Sequence, residues 1–126
     1  MNKLLLFITL SLLVFGCSTT GEGYMQQNEL LAQIKQGKPP IIVDVRSTGE
    51  YQAGHVPGAI HIPFWTAFTT DKMDGYNKAD EVVMYCAHGP RAGIAKLAFY
   101  LAGFDKLSYL AGHMTGWYSA NLPIEK

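Results

Sequence analysis

The sequence predicts an α/β fold built on a mainly parallel sheet. Short apolar runs, rich in β-branched residues, alternate along the chain with segments of helical periodicity. The strongest runs, 41–45 and 82–85, are almost continuously apolar, which is typical of strands buried on both faces of a sheet. With 126 residues, 48% of them hydrophobic and 16% charged, the chain is long enough for one folded domain with its own core.

The N-terminal residues differ from the rest of the chain. A positive residue precedes an almost wholly apolar run over 4–15, which has the length of a signal-peptide core and is short for a membrane span. The following Val-Phe-Gly-Cys resembles a bacterial lipobox that ends at Cys17. We therefore expect a lipoprotein-type signal peptide over 1–16, cleaved before a lipidated Cys17, and a protein anchored at the periplasmic face of the envelope. Because Ser18 and not aspartate follows, the outer membrane is favoured. An ordinary secretory peptide cut nearby is the alternative.

The elements of the mature chain follow in order. Residues 17–26 begin small and polar and are expected to form a tether, which leaves 27–126 as the folded domain. Glycine and proline separate the periodic segments, and Ser47-x-x-Glu50 is a capping-box pattern at a helix start. Helices are predicted over 29–36, 47–52, 64–72, 90–101 and 115–120, and strands over 41–45, 59–62, 81–85 and 107–110.

Cys86 lies where a strand ends and a helix begins after a short polar loop. Unpaired N–H groups and peptide dipoles at a helix N-terminus favour negative charge, which biases a thiol toward the nucleophilic thiolate. The chain has two cysteines, so if Cys17 carries lipid, Cys86 has no partner for an intramolecular disulfide. A lone thiol in an exported protein indicates reactivity or intermolecular pairing. A cysteine that packs as a small hydrophobic residue is the alternative. The next helix carries apolar residues at helical spacing, namely Ile94, Leu97, Ala98 and Leu101.

Three motifs occur in order along the chain. Asp44-Val45-Arg46 is followed by Glu50 and then by Gly-His-Val-Pro-Gly-Ala at 54–59. Cys86-x-x-Gly-x-Arg-Ala comes next, and a C-terminal pattern with Gly103-Phe, Leu-Ala-Gly and Trp117 closes the series. Together they resemble the rhodanese family of sulfurtransferases over about residues 27–120, and the single-domain exported type most closely. The resemblance implies a three-layer fold with a central, mainly parallel sheet of about five strands flanked by helices. One departure is His113, which stands where a second glycine is frequent.

The resemblance implies a thiosulfate sulfurtransferase without a cofactor. The Cys86 thiolate would take a sulfur atom from a small anionic donor such as thiosulfate and pass it to a thiol or cyanide acceptor. Arg91 offers a fork of donors that suits sulfate-like oxygens, so we expect it to bind the donor. Further substrate-binding residues are expected in the loop and at the helix start, namely Ala87, His88, Gly89 and Ala92. For His88, a side chain that faces solvent is the alternative.

Three polar residues before the cysteine are interpreted as structural support. Arg46 and Glu50 lie four residues apart around a helix start, where an ion pair is expected. Asp44 lies in an apolar strand and needs partners if it is buried. Core packing is the default for the aromatic residues Phe64, Trp65, Phe68 and Trp117, and the alternative is that they line the mouth of the pocket.

Two other functions remain open. A sulfur-relay or binding module without turnover would use the same Cys86. A cysteine phosphatase or arsenate reductase resembles the same scaffold but has five residues between cysteine and arginine, whereas this chain has four, Ala87 to Pro90. The net charge of zero without a basic cluster argues against nucleic acid. His61 and His113 lack ligand-like spacing, so no metal site is expected. A monomer is expected, since no heptad pattern or large exposed apolar stripe is visible.

Overall fold

A five-stranded parallel sheet forms the centre of the protein. The computed structural model describes residues 23–126, so the predicted signal peptide and the lipidation site at Cys17 lie outside the described residues. The strands are β1 (Tyr24–Met25), β2 (Ile41–Asp44), β3 (Ile60–His61), β4 (Val82–Tyr85) and β5 (Leu107–Leu110). They are arranged in the order β1-β5-β4-β2-β3, and every neighbouring pair is parallel. The predicted α/β fold is confirmed.

Residues 23–126 contain four α-helices: α1 (Gln27–Lys35), α2 (Thr48–Ala53), α3 (Pro90–Leu101) and α4 (His113–Ser119). α3 covers one face of the sheet, and α1 and α4 cover the other. Successive strand residues point to opposite faces, so Val43 and Met84 join a core with α3, whereas Ile42 and Val83 join a core with α1 and α4. The result is the three-layer arrangement that the resemblance implied. Within residues 23–126, no helix is long and apolar enough to cross a bilayer.

Two segments differ from the sequence-based expectation. Tyr24 and Met25, expected in the tether, form β1 and pair in parallel with β5 at the edge of the sheet. The helix expected over 64–72 is a single 3₁₀ turn, Phe64–Thr66. In this segment the Thr66 and Thr69 hydroxyls donate to carbonyls three residues earlier, at 2.8 and 3.4 Å. Such local bonds offer the backbone an alternative to the helix, and turns follow to residue 76.

The solvent face of α3 is apolar, which the sequence analysis did not anticipate. Of the apolar residues at helical spacing, Ala98 is buried, whereas Ile94, Leu97 and Leu101 are 47%, 53% and 68% exposed. The buried face consists of Ala92, Ala95, Ala98 and Phe99. The three alanines present little side-chain bulk to the sheet. The larger aliphatic residues Ile94, Leu97 and Leu101 point outward and form an exposed apolar stripe. The expectation that the protein has no such stripe is wrong.

Candidate active site

Cys86 follows β4 at the carboxyl edge of the sheet, and the loop after it folds back over the sulfur. The residue is 1% exposed. The Gly89 N–H donates to Cys86 Sγ at 2.9 Å. Gly89 has φ 133°, a region that L side chains rarely adopt, so a glycine suits this turn. Pro90 then begins α3, where its missing N–H costs no intrahelical hydrogen bond.

The surroundings of the sulfur favour the thiolate. Burial opposes ionisation of Cys86, but hydrogen bonds from the His113 side chain and from the backbone amides of Ala92, Gly89 and His88 outweigh it and lower the thiol pKa to about 6. At pH 7 a group with this pKa is about 90% ionised, compared with a few per cent for an ordinary thiol. The dipole at the α3 N-terminus acts in the same direction.

His113 is a site residue that the sequence analysis missed. Its Nδ1 accepts the Cys86 N–H at 3.2 Å, and the residue is 7% exposed. Since Nδ1 acts as an acceptor, the proton of the neutral ring is on Nε2, so the ring has no free lone pair for a general base. The backbone of His113 is left-handed, with φ 52°. The one signal in the sequence was its position, where the resembling family frequently has a glycine.

The start of α4 fastens the cysteine loop. Met114 N–H donates to the Cys86 carbonyl at 2.9 Å, and Thr115 N–H donates to the Ala87 carbonyl at 3.2 Å. The Thr115 hydroxyl lies 3.3 Å from His88 Nδ1, and the His88 side chain is exposed. The His88 backbone amide therefore serves the sulfur, while its ring lies at the rim.

Arg91 and Glu50 form an ion pair at the rim of the site, hereafter the outer pair. Arg91 Nη1 and Nη2 donate to the two carboxylate oxygens at 2.7 and 2.9 Å. The same carboxylate accepts from the Ser47 N–H and hydroxyl in the capping box of α2. The hydrogen bond from Arg91 outweighs burial and holds the pKa of Glu50 well below its usual range. The expected pairing of Glu50 with Arg46 is wrong.

Arg46 pairs instead with Asp44, and these two residues form the inner pair. Arg46 Nη2 donates to Asp44 Oδ2 and to the Gly54 carbonyl, both at 2.7 Å, and Nε donates to Oδ1 at 3.0 Å. Both side chains are buried, at 4% and 0% exposure. Asp44 ends β2, so its carboxylate also accepts the Arg46 N–H two residues later at 2.9 Å. This tight turn places the Asp44 carboxylate beside the Arg46 guanidinium, so Arg46 pairs with Asp44 and not with Glu50.

The structure gathers part of the predicted site around the sulfur. It brings the amides of His88, Gly89 and Ala92 to Cys86 and places Arg91 at the rim. Among residues 23–126, no group of three potential metal ligands occurs. Trp117 is buried and Phe64 packs against the core, but Trp65 and Phe68 are 58% and 55% exposed, so core packing was wrong for those two residues.

Comparison with known proteins agrees with this geometry. A family model described as the rhodanese-like domain matches residues 26–120. The chain belongs to this family. It is 33% identical to the thiosulfate:glutathione sulfurtransferase of Saccharomyces cerevisiae over 90 residues, which cover 63% of the chain and 65% of that protein. It is 32% identical over 76 residues to YrkF of Bacillus subtilis, named as a candidate sulfur carrier, covering 60% of the chain and 40% of that protein. The matches thus span less than two thirds of either relative.

Solved structures of the same fold cover more of the chain. The BH2092 protein of Bacillus halodurans is 29% identical and superposes with a TM-score of 0.72, covering 82% of this chain and 77% of that one. The human single-domain sulfurtransferase TSTD1 is 25% identical with a TM-score of 0.67, covering 79% and 97%. The rhodanese-like sheet and helices are therefore shared along nearly the whole described chain.

Proposed function

We propose that the protein is a sulfurtransferase that moves a sulfane sulfur from thiosulfate, or a similar anion, to a thiol or cyanide through a Cys86 persulfide. The observation that carries the proposal is the buried sulfur of Cys86, which accepts the Gly89 N–H at 2.9 Å in a loop whose amides lower the thiol pKa. The membership of the rhodanese-like family supports it. The yeast relative is named for glutathione as well as thiosulfate, which supports a thiol as the second substrate.

The reaction is two displacements at sulfur. The Cys86 thiolate attacks the outer sulfur of thiosulfate, a new S–S bond forms, and the S–S bond of thiosulfate breaks with its electron pair leaving on sulfite. The acceptor then attacks the outer sulfur of the persulfide, and the Cys86 thiolate leaves with the electron pair. No oxidant or reductant is consumed. The loop amides that stabilise the thiolate are also placed to stabilise the anionic persulfide.

Arg91 is the group in this proposal that meets the oxygens of the donor. Two of its N–H groups are taken by Glu50, and the others of its five donors remain. The Arg91 and Glu50 side chains are 29% and 36% exposed, so an anion from solvent can reach this pair. Glu50 then has two roles, since it orients the guanidinium and also repels an approaching anion.

The proposal is tested by following the transferred sulfur atom from thiosulfate to the protein and then to the acceptor. The intact mass of the protein should rise by one sulfur atom after thiosulfate, with the addition on Cys86, and added cyanide should yield thiocyanate. Cys86→Ser should lose both results while keeping its thermal unfolding midpoint within a few degrees. Thiocyanate formation by Cys86→Ser, or its absence with the wild type, would contradict the proposal.

Persulfide without turnover would favour a sulfur-relay module, as YrkF is named. Hydrolysis of p-nitrophenyl phosphate would favour a phosphatase.

The contribution of His113 has its own test. The rate of Cys86 alkylation against pH should show a midpoint near pH 6 in the wild type. His113→Ala removes the side chain that hydrogen-bonds the Cys86 thiolate, and its midpoint should move toward the ordinary thiol value of about 8.5. His113→Asn offers a side-chain amide N–H as a donor and tolerates a left-handed backbone, so its midpoint should lie between the two. Equal midpoints in all three proteins would exclude His113 as a determinant of the thiol pKa.

We also propose that the protein is exported and anchored to the periplasmic face of the bacterial envelope by lipid on Cys17, with the outer membrane favoured. The apolar run over 4–15 and the lipobox-like sequence support this proposal. The intact mass of the protein purified from membranes should show loss of residues 1–16 and acyl chains on Cys17. An unmodified Cys17 would refute anchoring and leave the proposed chemistry of Cys86 untouched.

A further inference from the structure

The large exposed hydrophobic side chains concentrate on the α3 side of the molecule. On α3 itself these are Ile94, Leu97, Tyr100 and Leu101, which are 47% to 68% exposed. The 3₁₀ turn packs against α3, and its segment adds Trp65 and Phe68. A surface helix of a globular protein normally turns its large apolar residues inward and its polar residues outward. In α3 the alanines face inward, and we call the six exposed residues of α3 and of the adjacent 3₁₀ segment the α3 face; exposed apolar residues of this kind mark interaction sites.

The chain enters the fold beside α3, at Lys96. A Cβ placed on Gly23, the first described residue, would lie 3.9 Å from Nζ of Lys96 on α3. The next residue, Tyr24, packs its ring 5.4 Å from that of Tyr109, over which Lys96 Nζ lies at 4.6 Å. The segment that leads back toward Cys17 therefore leaves the domain next to α3.

The distance from Cys17 to the α3 face is limited by the chain. Six residue steps separate Cys17 from Gly23, and they reach at most about 20 Å when fully extended. This is close to the length of the 12-residue helix α3 itself, about 18 Å. A lipid on Cys17 would thus hold Gly23, which lies beside Lys96 of α3, within about 20 Å of the bilayer.

We propose that the α3 face lies on the surface of the lipid bilayer and orients the domain there, an inference that rests on the proposed anchor at Cys17. The composition of the face fits this partner. It contains three aliphatic residues, and Trp65 and Tyr100 are residues of the kind that settle at the membrane interface. α3 carries no acidic residue that would repel anionic head groups. The entry point of the chain favours a bilayer over a second copy as the occupant.

This orientation leaves the candidate active site open. α3 begins at the cysteine loop, so the site lies at the N-terminal end of the contacting helix and not beneath it. A water-soluble donor can then approach from the side while the domain rests on the membrane.

The two tryptophans of the chain make the proposal measurable. Trp65 is 58% exposed on the α3 face, whereas Trp117 is fully buried on the opposite side of the sheet. The full-length chain is produced in bacteria that process lipoproteins and reconstituted in vesicles of phosphatidylethanolamine and phosphatidylglycerol, with or without bromine on the acyl chains. Bromolipid should quench the Trp65 emission and leave the Trp117 emission unchanged. Trp65→Phe should remove the quenched component.

The matched variants separate the surface from the anchor. Leu97→Glu combined with Leu101→Glu places charge at exposed positions and should abolish quenching of Trp65, while the lipid keeps the variant on the vesicles. Ala32→Glu adds one charge at an exposed position of α1, on the opposite side, and should keep the quenching. Unchanged emission of Trp117 in all variants will show that the fold is intact.

Three results would overturn the proposal. They are an unmodified Cys17 by mass, an anchored wild type whose Trp65 is not quenched, or protection of Trp65 by a dimer detected by cross-linking on the vesicles. Thiocyanate formation is measured on the same vesicles. Its absence together with quenched Trp65 would refute the proposed activity and leave the orientation standing.

Discussion

The inner and outer pairs both join an arginine to a carboxylate near the carboxyl edge of the sheet, and they differ in depth. Each has a closest contact of 2.7 Å. The inner pair, Asp44 and Arg46, is 0% and 4% exposed, whereas the outer pair, Glu50 and Arg91, is 36% and 29% exposed. With similar contact distances, the difference in their contributions comes from solvent. Water screens the outer pair and would take over its hydrogen bonds, but it cannot do so for the inner pair.

The connections of the two pairs follow this difference. The inner pair links the end of β2 to the Gly54 carbonyl, which also accepts the Tyr118 hydroxyl at 2.9 Å. It therefore holds several elements in place behind the site. The outer pair links the start of α2 to the start of α3 and faces the solvent from which a donor arrives. We infer that the inner pair serves mainly folding and the outer pair mainly function.

The largest expected effect is on folding, from breaking the inner pair. Asp44→Ala leaves Arg46 buried without its carboxylate and should lower the free energy of unfolding by about 3–5 kcal/mol, a large share of the stability of a small domain. Urea unfolding followed by circular dichroism measures this. Asp44→Ala combined with Arg46→Met removes both charges and should recover part of the loss. A loss below about 1 kcal/mol for Asp44→Ala would mean that the buried inner pair stabilises the fold no more than an exposed pair does.

Breaking the outer pair should affect activity more than folding stability. Arg91→Ala should lower kcat/KM for thiosulfate by about 10- to 100-fold, the value of a hydrogen bond to a charged group, and should change the unfolding free energy by less than about 1 kcal/mol. Arg91→Lys keeps the charge without the fork and should fall between the two. Lys35→Ala removes an equal charge from α1 and should leave kcat/KM unchanged. Unaltered kinetics in Arg91→Ala would show that this arginine does not bind the donor.

Glu50→Gln should change the kinetics with thiosulfate less than Arg91→Ala does, and in the opposite direction. Glutamine can keep the capping box, so α2 should remain in place. The negative charge at the rim is lost and Arg91 is released, so KM for thiosulfate should fall by about two- to fivefold, corresponding to less than 1 kcal/mol at an exposed site. Initial rates against donor concentration at low and high salt measure it. A higher KM would mean that Glu50 acts chiefly by orienting Arg91.

Much of the fold was predictable because its signals are local. The runs at β2, β4 and β5, the capping box at Ser47 and the turn before α3 each depend on neighbouring residues. β1 was not predicted because two residues are too few for periodicity, and because its stability comes from pairing with β5, whose paired residues are 85 positions away in the chain. The outward face of α3 escaped for another reason. Spacing identifies a face of a helix but does not reveal that alanines will take the side against the sheet.

The candidate site was predictable where chemistry depends on the order of residues. Cys86, its loop and the following helix start could be read directly. The arginine pairings could not, because the four-residue rule for helices favoured Arg46 with Glu50, whereas Asp44 is closer at the strand end. His113 lies 27 positions from Cys86, and spacing alone could not connect them.

The smallest effect is the acid sensitivity of the outer pair. The pKa of Glu50 is lowered in the folded protein, so its carboxylate stabilises the fold fully above the unfolded value of about 4.3, and this contribution is lost as pH falls through the folded pKa. Since the pair is partly exposed, the contribution should stay below about 1 kcal/mol. The difference in unfolding free energy between wild type and Glu50→Gln should therefore be constant from pH 7 to 5 and shrink below pH 4. A difference that persists at pH 2 would assign it to packing and capping in α2, and the outer pair would then contribute no charge-dependent stability.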